Sequence, residues 1–186
     1  FDFKNDHPPL IRQIVALPLL LFDLKPSKYT DQWLKQVSMV FGRHFLFSPG
    51  NNVDRIIFFS RIPIVFISML LGYYVFAWAR ELYGNYAGLL SLFLYVFSPN
   101  ILAHSRLVTA DLGSTCFISI ACFYFWRYLD KPSFLRLFFA GTSLGLALVS
   151  KYSALTLLII FPILFAAKLL STDKKKDPKK QLFFSN

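Results

Sequence analysis

The sequence predicts an all-α fold: a polytopic transmembrane helix bundle with juxtamembrane helices on its outer face. Three observations carry that expectation. The 186 residues are 55% hydrophobic and only 16% charged, whereas soluble domains carry roughly 25% charged residues. Apolar runs near membrane-crossing length recur along the chain. Lysine and arginine divide unevenly between the short connections that join those runs.

Residues 1–9 are polar and irregular, and Pro8 and Pro9 stop any helix from running in from the left. Leu10–Phe22 is apolar but only 13 residues long, too short to span, which suits an interfacial or re-entrant segment. Residues 23–30 read as a loop. Trp33, Leu34, Val37, Val40, Phe41 and Phe45 then recur at helical spacing, with Lys35, Gln36 and Arg43 elsewhere on the wheel. That pattern predicts an amphipathic helix over 31–47, lying on the membrane surface. Ser48-Pro-Gly-Asn-Asn52 is a turn.

Five spans are expected after that turn. The first, Ile56–Ala79, would reach about 36 Å as a helix, enough to cross with tilt. The second is Tyr86–Ala103, with Pro99 near its end, and the third is Leu112–Tyr128. The fourth and fifth, Phe134–Val149 and Ala154–Leu170, are short and joined only by Ser150-Lys-Tyr-Ser153, a tight hairpin or a broken helix. The chain then divides into an extracytoplasmic loop with interfacial helices (1–53), a five-span bundle (54–170) and a basic cytoplasmic loop (171–186). It opens on Phe1 without a signal-peptide pattern, so a fragment of a longer polypeptide is expected.

Orientation follows from the basic residues. Arg80, Arg127, Lys131, Arg136, Lys168, Lys174, Lys175, Lys176, Lys179 and Lys180 fall in one set of connections, against Arg106 and Lys151 in the opposite short loops. The first set is therefore assigned to the cytoplasm. The net charge of +10 is explained by these membrane-flanking loops, so no nucleic-acid partner is inferred. Cys116 and Cys122 lie six apart in one apolar run and point to different faces of a helix, so they neither pair nor offer a metal spacing.

On the outer side this topology gathers Asp6, His7, Asp54, Arg55, Arg61, His104, Arg106, Asp111 and Lys151. The turn His104-Ser-Arg-Leu-Val-Thr-Ala-Asp111 alone sets three ionisable groups between two apolar runs, and such groups at a membrane boundary mark candidate sites. Cations at span ends suit a lipid-linked phosphate or pyrophosphate. A neighbouring carboxylate suits proton removal from an incoming hydroxyl or amine. Each residue also has a structural reading. Arg55 and Arg61 serve as snorkelling anchors, Asp54 and Asp111 as helix caps, and His104 as an interfacial histidine with its hydrogen bonds satisfied. Residue types alone reach a polytopic membrane protein with an outward, cationic polar site.

The ordered series Asp6-His-Pro-Pro-Leu10, Ala16-Leu-Pro-Leu-Leu20, Asn52-Val-Asp-Arg-Ile-Ile57, Arg80-Glu-Leu-Tyr-Gly84, Phe97-Ser-Pro-Asn100, Ala103-His-Ser-Arg-Leu-Val-Thr-Ala-Asp111 and Ser150-Lys-Tyr152 adds a family. It resembles bacterial glycosyltransferase family 39, the protein O-mannosyltransferases and lipid A aminoarabinose transferases of the GT-C class. The resemblance implies a GT-C-like bundle in the bacterial inner (plasma) membrane, with an extracytoplasmic active site and a cytoplasmic basic tail. It implies an enzyme that takes a sugar from a polyprenyl-phosphate donor, with inversion, and gives it to a protein, lipid or glycan acceptor.

Carried over by residue, the resemblance implies catalytic roles for Asp111 and Asp6. It implies donor-phosphate contacts for His7, Arg55, Arg106 and Lys151. It fixes no cofactor beyond the lipid-linked sugar itself and leaves a divalent metal open, with no metal ligand identified. Relatives carry an Asp-Glu pair upstream of the His-Pro-Pro motif, where the proposed base lies. This chain begins after that point, so alone it is expected to be inactive. The alternative class is a transporter or flippase for an anionic lipid-linked substrate. Transporters hold charged groups and broken helices near mid-membrane, whereas the charged groups here sit at span ends.

Overall fold

The computed structural model describes residues 8–25 and 38–176. Among them every regular element is helical. The elements are α1 (Leu10–Ala16), α2 (Ser38–Leu46), α3 (Val53–Tyr83), α4 (Asn85–Val96), α5 (Pro99–His104), α6 (Ala110–Asp130), α7 (Phe134–Leu148) and α8 (Leu157–Lys176). Short 3₁₀ turns follow α1 at Leu17–Leu21 and precede α8 at Tyr152–Thr156.

Helix α3 begins where Asn52, in extended conformation, accepts a hydrogen bond from the Arg55 amide at 3.0 Å. Asn52, not Asp54, is therefore the cap; Asp54 sits inside the first turn, where its charge suits the helix dipole. The helix runs 31 residues to Tyr83 and stops at Gly84, whose φ of 89° is open to glycine but strained for other residues. The chain reverses there into α4. Tyr95 fastens the two helices: its hydroxyl donates to the Ser68 carbonyl at 2.8 Å and lies 3.1 Å from Ser68 Oγ.

The expected second span is broken. α4 ends at Val96, and Ser98 is extended (φ −67°, ψ 120°) ahead of Pro99, which opens α5. Proline drives the preceding residue out of the helical region and suits the first turn of a new helix. α6 and α7 then form a hairpin through the turn at 131–133, where Arg136 donates to the carbonyls of Arg127 and Lys131, each at 2.8 Å.

α6 is the centre of the fold. It runs alongside α3 in the same direction, as the successive neighbours Tyr74–Tyr124, Trp78–Trp126 and Glu81–Arg127 show. Its buried side chains Leu112, Cys116, Phe117 and Ile120 join Ile64, Ile67 and Leu71 of α3 in one core. A smaller cluster brings Ala121 together with Leu157 and Phe161 of α8, where the rings of Phe125 and Phe161 stack at 4.1 Å.

Among the described residues, two segments, Val53–Tyr83 and Tyr152–Ser171, are by themselves long and apolar enough to cross a membrane, where five spans were expected. α4 and α7 have 12 and 15 residues, about 18 and 22 Å against a hydrocarbon core of roughly 30 Å. Broad apolar surfaces remain outward, among them Phe66, Met69, Phe93, Ile159 and Ile163, each more than half exposed. That is the pattern of helices whose outer faces meet lipid.

The juxtamembrane expectation divides. Leu10–Leu21 is not simply an interfacial segment, because α1 packs into the bundle: Ile11 and Val15 are 2% and 6% exposed. Leu17, Leu20 and Leu21 face outward. Of the amphipathic helix expected over 31–47, the described part is α2, Ser38–Leu46; residues 31–37 lie outside the described residues. α8 continues to Lys176, into the segment expected to be a loop from residue 171.

Candidate functional site

The site grows from the way α6 begins and α7 ends. The two helices are antiparallel, so the N-terminus of one adjoins the C-terminus of the other. Thr109 is extended (φ −120°, ψ 156°) and Ala110 opens α6, placing Asp111 in the first turn. Ser150, fully buried, donates to the Leu146 carbonyl at 2.7 Å. The Lys151 amide donates to the Ala147 carbonyl at 3.0 Å, closing α7. A carboxylate thus lies at a positive helix end and an ammonium at a negative one, both favoured by the helix dipoles.

These two groups meet. Lys151 Nζ donates to Asp111 Oδ1 at 2.5 Å, with side chains 29% and 49% exposed. Partial desolvation makes either charge costly alone, and the pairing offsets that cost. Asp111 is not a side-chain cap: Thr109 occupies that position, and the Asp111 carbonyl accepts from Ser114 Oγ and Thr115 Oγ1 at 3.0 and 2.8 Å.

α1 lies against the same end. The Leu10 amide donates to the Val149 carbonyl at 3.3 Å, two residues before Lys151. Ile11 fills the space over Gly113, where an added Cβ would lie 2.8 Å from Ile11 Cγ1. The glycine two residues after Asp111 therefore lets α1 seat beside the ion pair. Asp6 and His7, which precede this helix in sequence, lie outside the described residues.

The other expected contacts are dispersed. The Arg55 guanidinium lies over the Phe22 ring, 5.8 Å from its centroid, and Phe22 in turn packs on Phe59 at 4.8 Å. The structure so uses Arg55 to hold the chain after the first 3₁₀ turn onto α3, and does not bring it to the Asp111–Lys151 pair. Arg106 is exposed in the turn between α5 and α6. In the same turn, His104 Nδ1 and Thr109 Oγ1 are buried with no hydrogen-bond partner among the described residues. The reading of His104 as a satisfied histidine therefore fails at Nδ1. Buried polar atoms without partners are costly, and their burial gives no signal in the sequence.

Outside the spans, Lys25 donates to Asp23 at 2.7 Å, and its hydrogen bond and charge hold the Asp23 carboxyl below the usual carboxylate range. Asn51 ties that segment to the turn before α3, accepting from the Lys25 amide at 2.8 Å and donating to the Phe45 carbonyl at 2.8 Å. Among the described residues no three His, Cys, Asp or Glu side chains gather as metal ligands.

Long apolar helices with broad outward apolar faces fit a helical membrane protein. Residues 50–184 match the family model described as dolichyl-phosphate-mannose-protein mannosyltransferase. The chain belongs to that family, whose members are membrane glycosyltransferases of the GT-C type. No curated protein and no solved structure matches the chain.

Proposed function

We propose that the protein transfers a sugar from a polyprenyl-phosphate donor to an extracytoplasmic acceptor, and that the Asp111–Lys151 end of the bundle receives the donor phosphate. The observation that carries this reading is the ion pair itself: a lysine is held at a span end by an acid 40 residues away. The family description names a dolichyl-phosphate mannose donor and a protein acceptor, so polyprenyl-phosphate mannose is the first donor to try.

In this reaction the acceptor oxygen or nitrogen attacks the anomeric carbon from the face opposite the phosphate. The bond from that carbon to the phosphate oxygen breaks, and its electron pair leaves on the polyprenyl phosphate. The acceptor proton passes to a carboxylate. Lys151 neutralises charge as it develops on the leaving phosphate, and Asp111 holds the ammonium in place until the donor arrives. Arg106 and His7 are proposed to add contacts to the phosphate. The buried His104 Nδ1 offers it a further hydrogen-bonding group. Asp6 is proposed as a second carboxylate of the site, and Arg55 as an outer contact that also secures Phe22.

The same reading fills in the five-span bundle, with the Lys151 end extracytoplasmic and the Arg80–Arg127 end in the cytoplasm of an inner-membrane protein. The test is an assay of the full-length protein in membranes with polyprenyl-phosphate mannose. Release of polyprenyl phosphate coupled to acceptor glycosylation supports the reading. Movement of the donor between leaflets without release contradicts it.

A further inference from the structure

A cavity lies at the end of the bundle opposite the Asp111–Lys151 pair. Asp111 is in the first turn of α6 and Arg127 in its last, about 24 Å apart along the helix axis. Between α3 and α6 at the Arg127 end is a cavity of about 400 Å³, within the range that holds small amphipathic ligands. Its walls include Tyr73, Tyr74, Phe123 and Tyr124, and its charged groups are Arg80, Glu81 and Arg127.

The charges do not cancel. Arg127 Nε stands 3.3 Å from Glu81 Oε1, an ion-pair distance. Its direction is wrong for a hydrogen bond, and the buried Nε has no hydrogen-bond partner among the described residues. Arg80 makes no ion pair among the described residues. Both guanidiniums are preset on rings: Arg80 over Phe76 at 6.0 Å and Arg127 over Phe123 at 5.4 Å. The cavity thus pairs two held cations, offset by one carboxylate, with an aromatic wall reaching to Tyr73, about 10 Å deeper along α3.

We propose that this cavity binds one phospholipid with an anionic headgroup. Its phosphate would lie against Arg80 and Arg127, and the start of its acyl chains against Tyr74, Phe123 and Tyr124. The position supports a lipid over a soluble phosphate. α3 is one of the two apolar segments, and Arg80 falls in its last turn, at the level where headgroups meet the hydrocarbon. A soluble phosphate would leave the aromatic wall unused. This site is separate from the proposed donor end and does not depend on it.

The test is native mass spectrometry of the full-length protein in detergent with equal amounts of phosphatidylglycerol and phosphatidylcholine of identical chains. The wild type is expected to retain one phosphatidylglycerol in preference, by about five-fold for each arginine engaged. Arg80→Gln is expected to lose most of that preference, and Arg80→Gln/Arg127→Gln all of it, while Lys151→Gln keeps it. sn-Glycerol 3-phosphate is expected not to compete. If the double variant does not fold, Arg80→Gln alone decides, because Arg80 holds no ion pair among the described residues. Equal retention of the two lipids overturns the proposal. A preference undiminished by Arg80→Gln, or displacement by sn-glycerol 3-phosphate, also overturns it.

Discussion

Lys151 reaches Asp111 across 40 residues of sequence, joining the end of α7 to the start of α6 at 2.5 Å. The contact can act as a brace between two helices or as a preset charge for a ligand. The two roles predict different costs. A pair exposed to this degree is worth about 0–1 kcal/mol to folding. An electrostatic group aimed at a developing charge is worth roughly 100- to 1,000-fold in turnover.

Asp111→Asn should therefore lower unfolding stability in detergent by no more than about 1 kcal/mol. It should cut turnover by at least about 100-fold, because Lys151 loses its orientation. Thermal midpoints and initial rates measured on one preparation check both. The double exchange Asp111→Lys/Lys151→Asp restores the pair but sets each charge against its helix dipole, so it should recover little stability and leave turnover low.

His104→Ala removes a buried nitrogen that makes no hydrogen bond among the described residues, so little polar interaction is lost on the protein side. If Nδ1 meets the donor phosphate, the donor KM should rise about 10- to 100-fold, the worth of a hydrogen bond to a charged group. The thermal midpoint should move little. A loss of stability without a KM change would make His104 a packing residue.

Gly113→Ala places a methyl group against Ile11, which is 2% exposed and has little room to move. Overpacking of this kind costs about 1–3 kcal/mol. It should also unseat α1 from the Lys151 end. Ile11→Ala in the same chain should recover part of the loss, and a double-mutant cycle on thermal midpoints measures the coupling.

Tyr95→Phe removes the hydroxyl that donates to the Ser68 carbonyl between α3 and α4. Hydrogen bonds between membrane helices average about 0.6 kcal/mol, and one in a soluble core about 1 kcal/mol. The expected loss lies between these values, with turnover unchanged. A loss several-fold larger would mean that this bond, and not apolar packing, holds the hairpin.

Much of this architecture was legible in the sequence, and the misses have physical causes. The apolar run after Asn52 marked α3, and the flanking charges marked both ends of α6 and the turn to α7. Lysine and arginine counting placed Asp111 and Lys151 on one side, but their contact depends on how α6 and α7 pack. The span read as Tyr86–Ala103 split because Pro99 acts on Ser98, so the break falls ahead of the proline rather than near the span end. Arg55 matched a family motif, yet its contact is Phe22, an aromatic partner 33 positions earlier that no spacing rule reveals. The unpartnered Nδ1 of His104 is a property of packing alone.

The central claim is that Lys151 meets the leaving phosphate. The direct measurement is polyprenyl phosphate release by the full-length protein in membranes, comparing wild type, Lys151→Arg and Lys151→Gln at matched expression and thermal midpoint. Release should fall at least about 100-fold in Lys151→Gln and recover in part in Lys151→Arg, which restores the charge with different geometry. Wild-type release by Lys151→Gln would contradict the account.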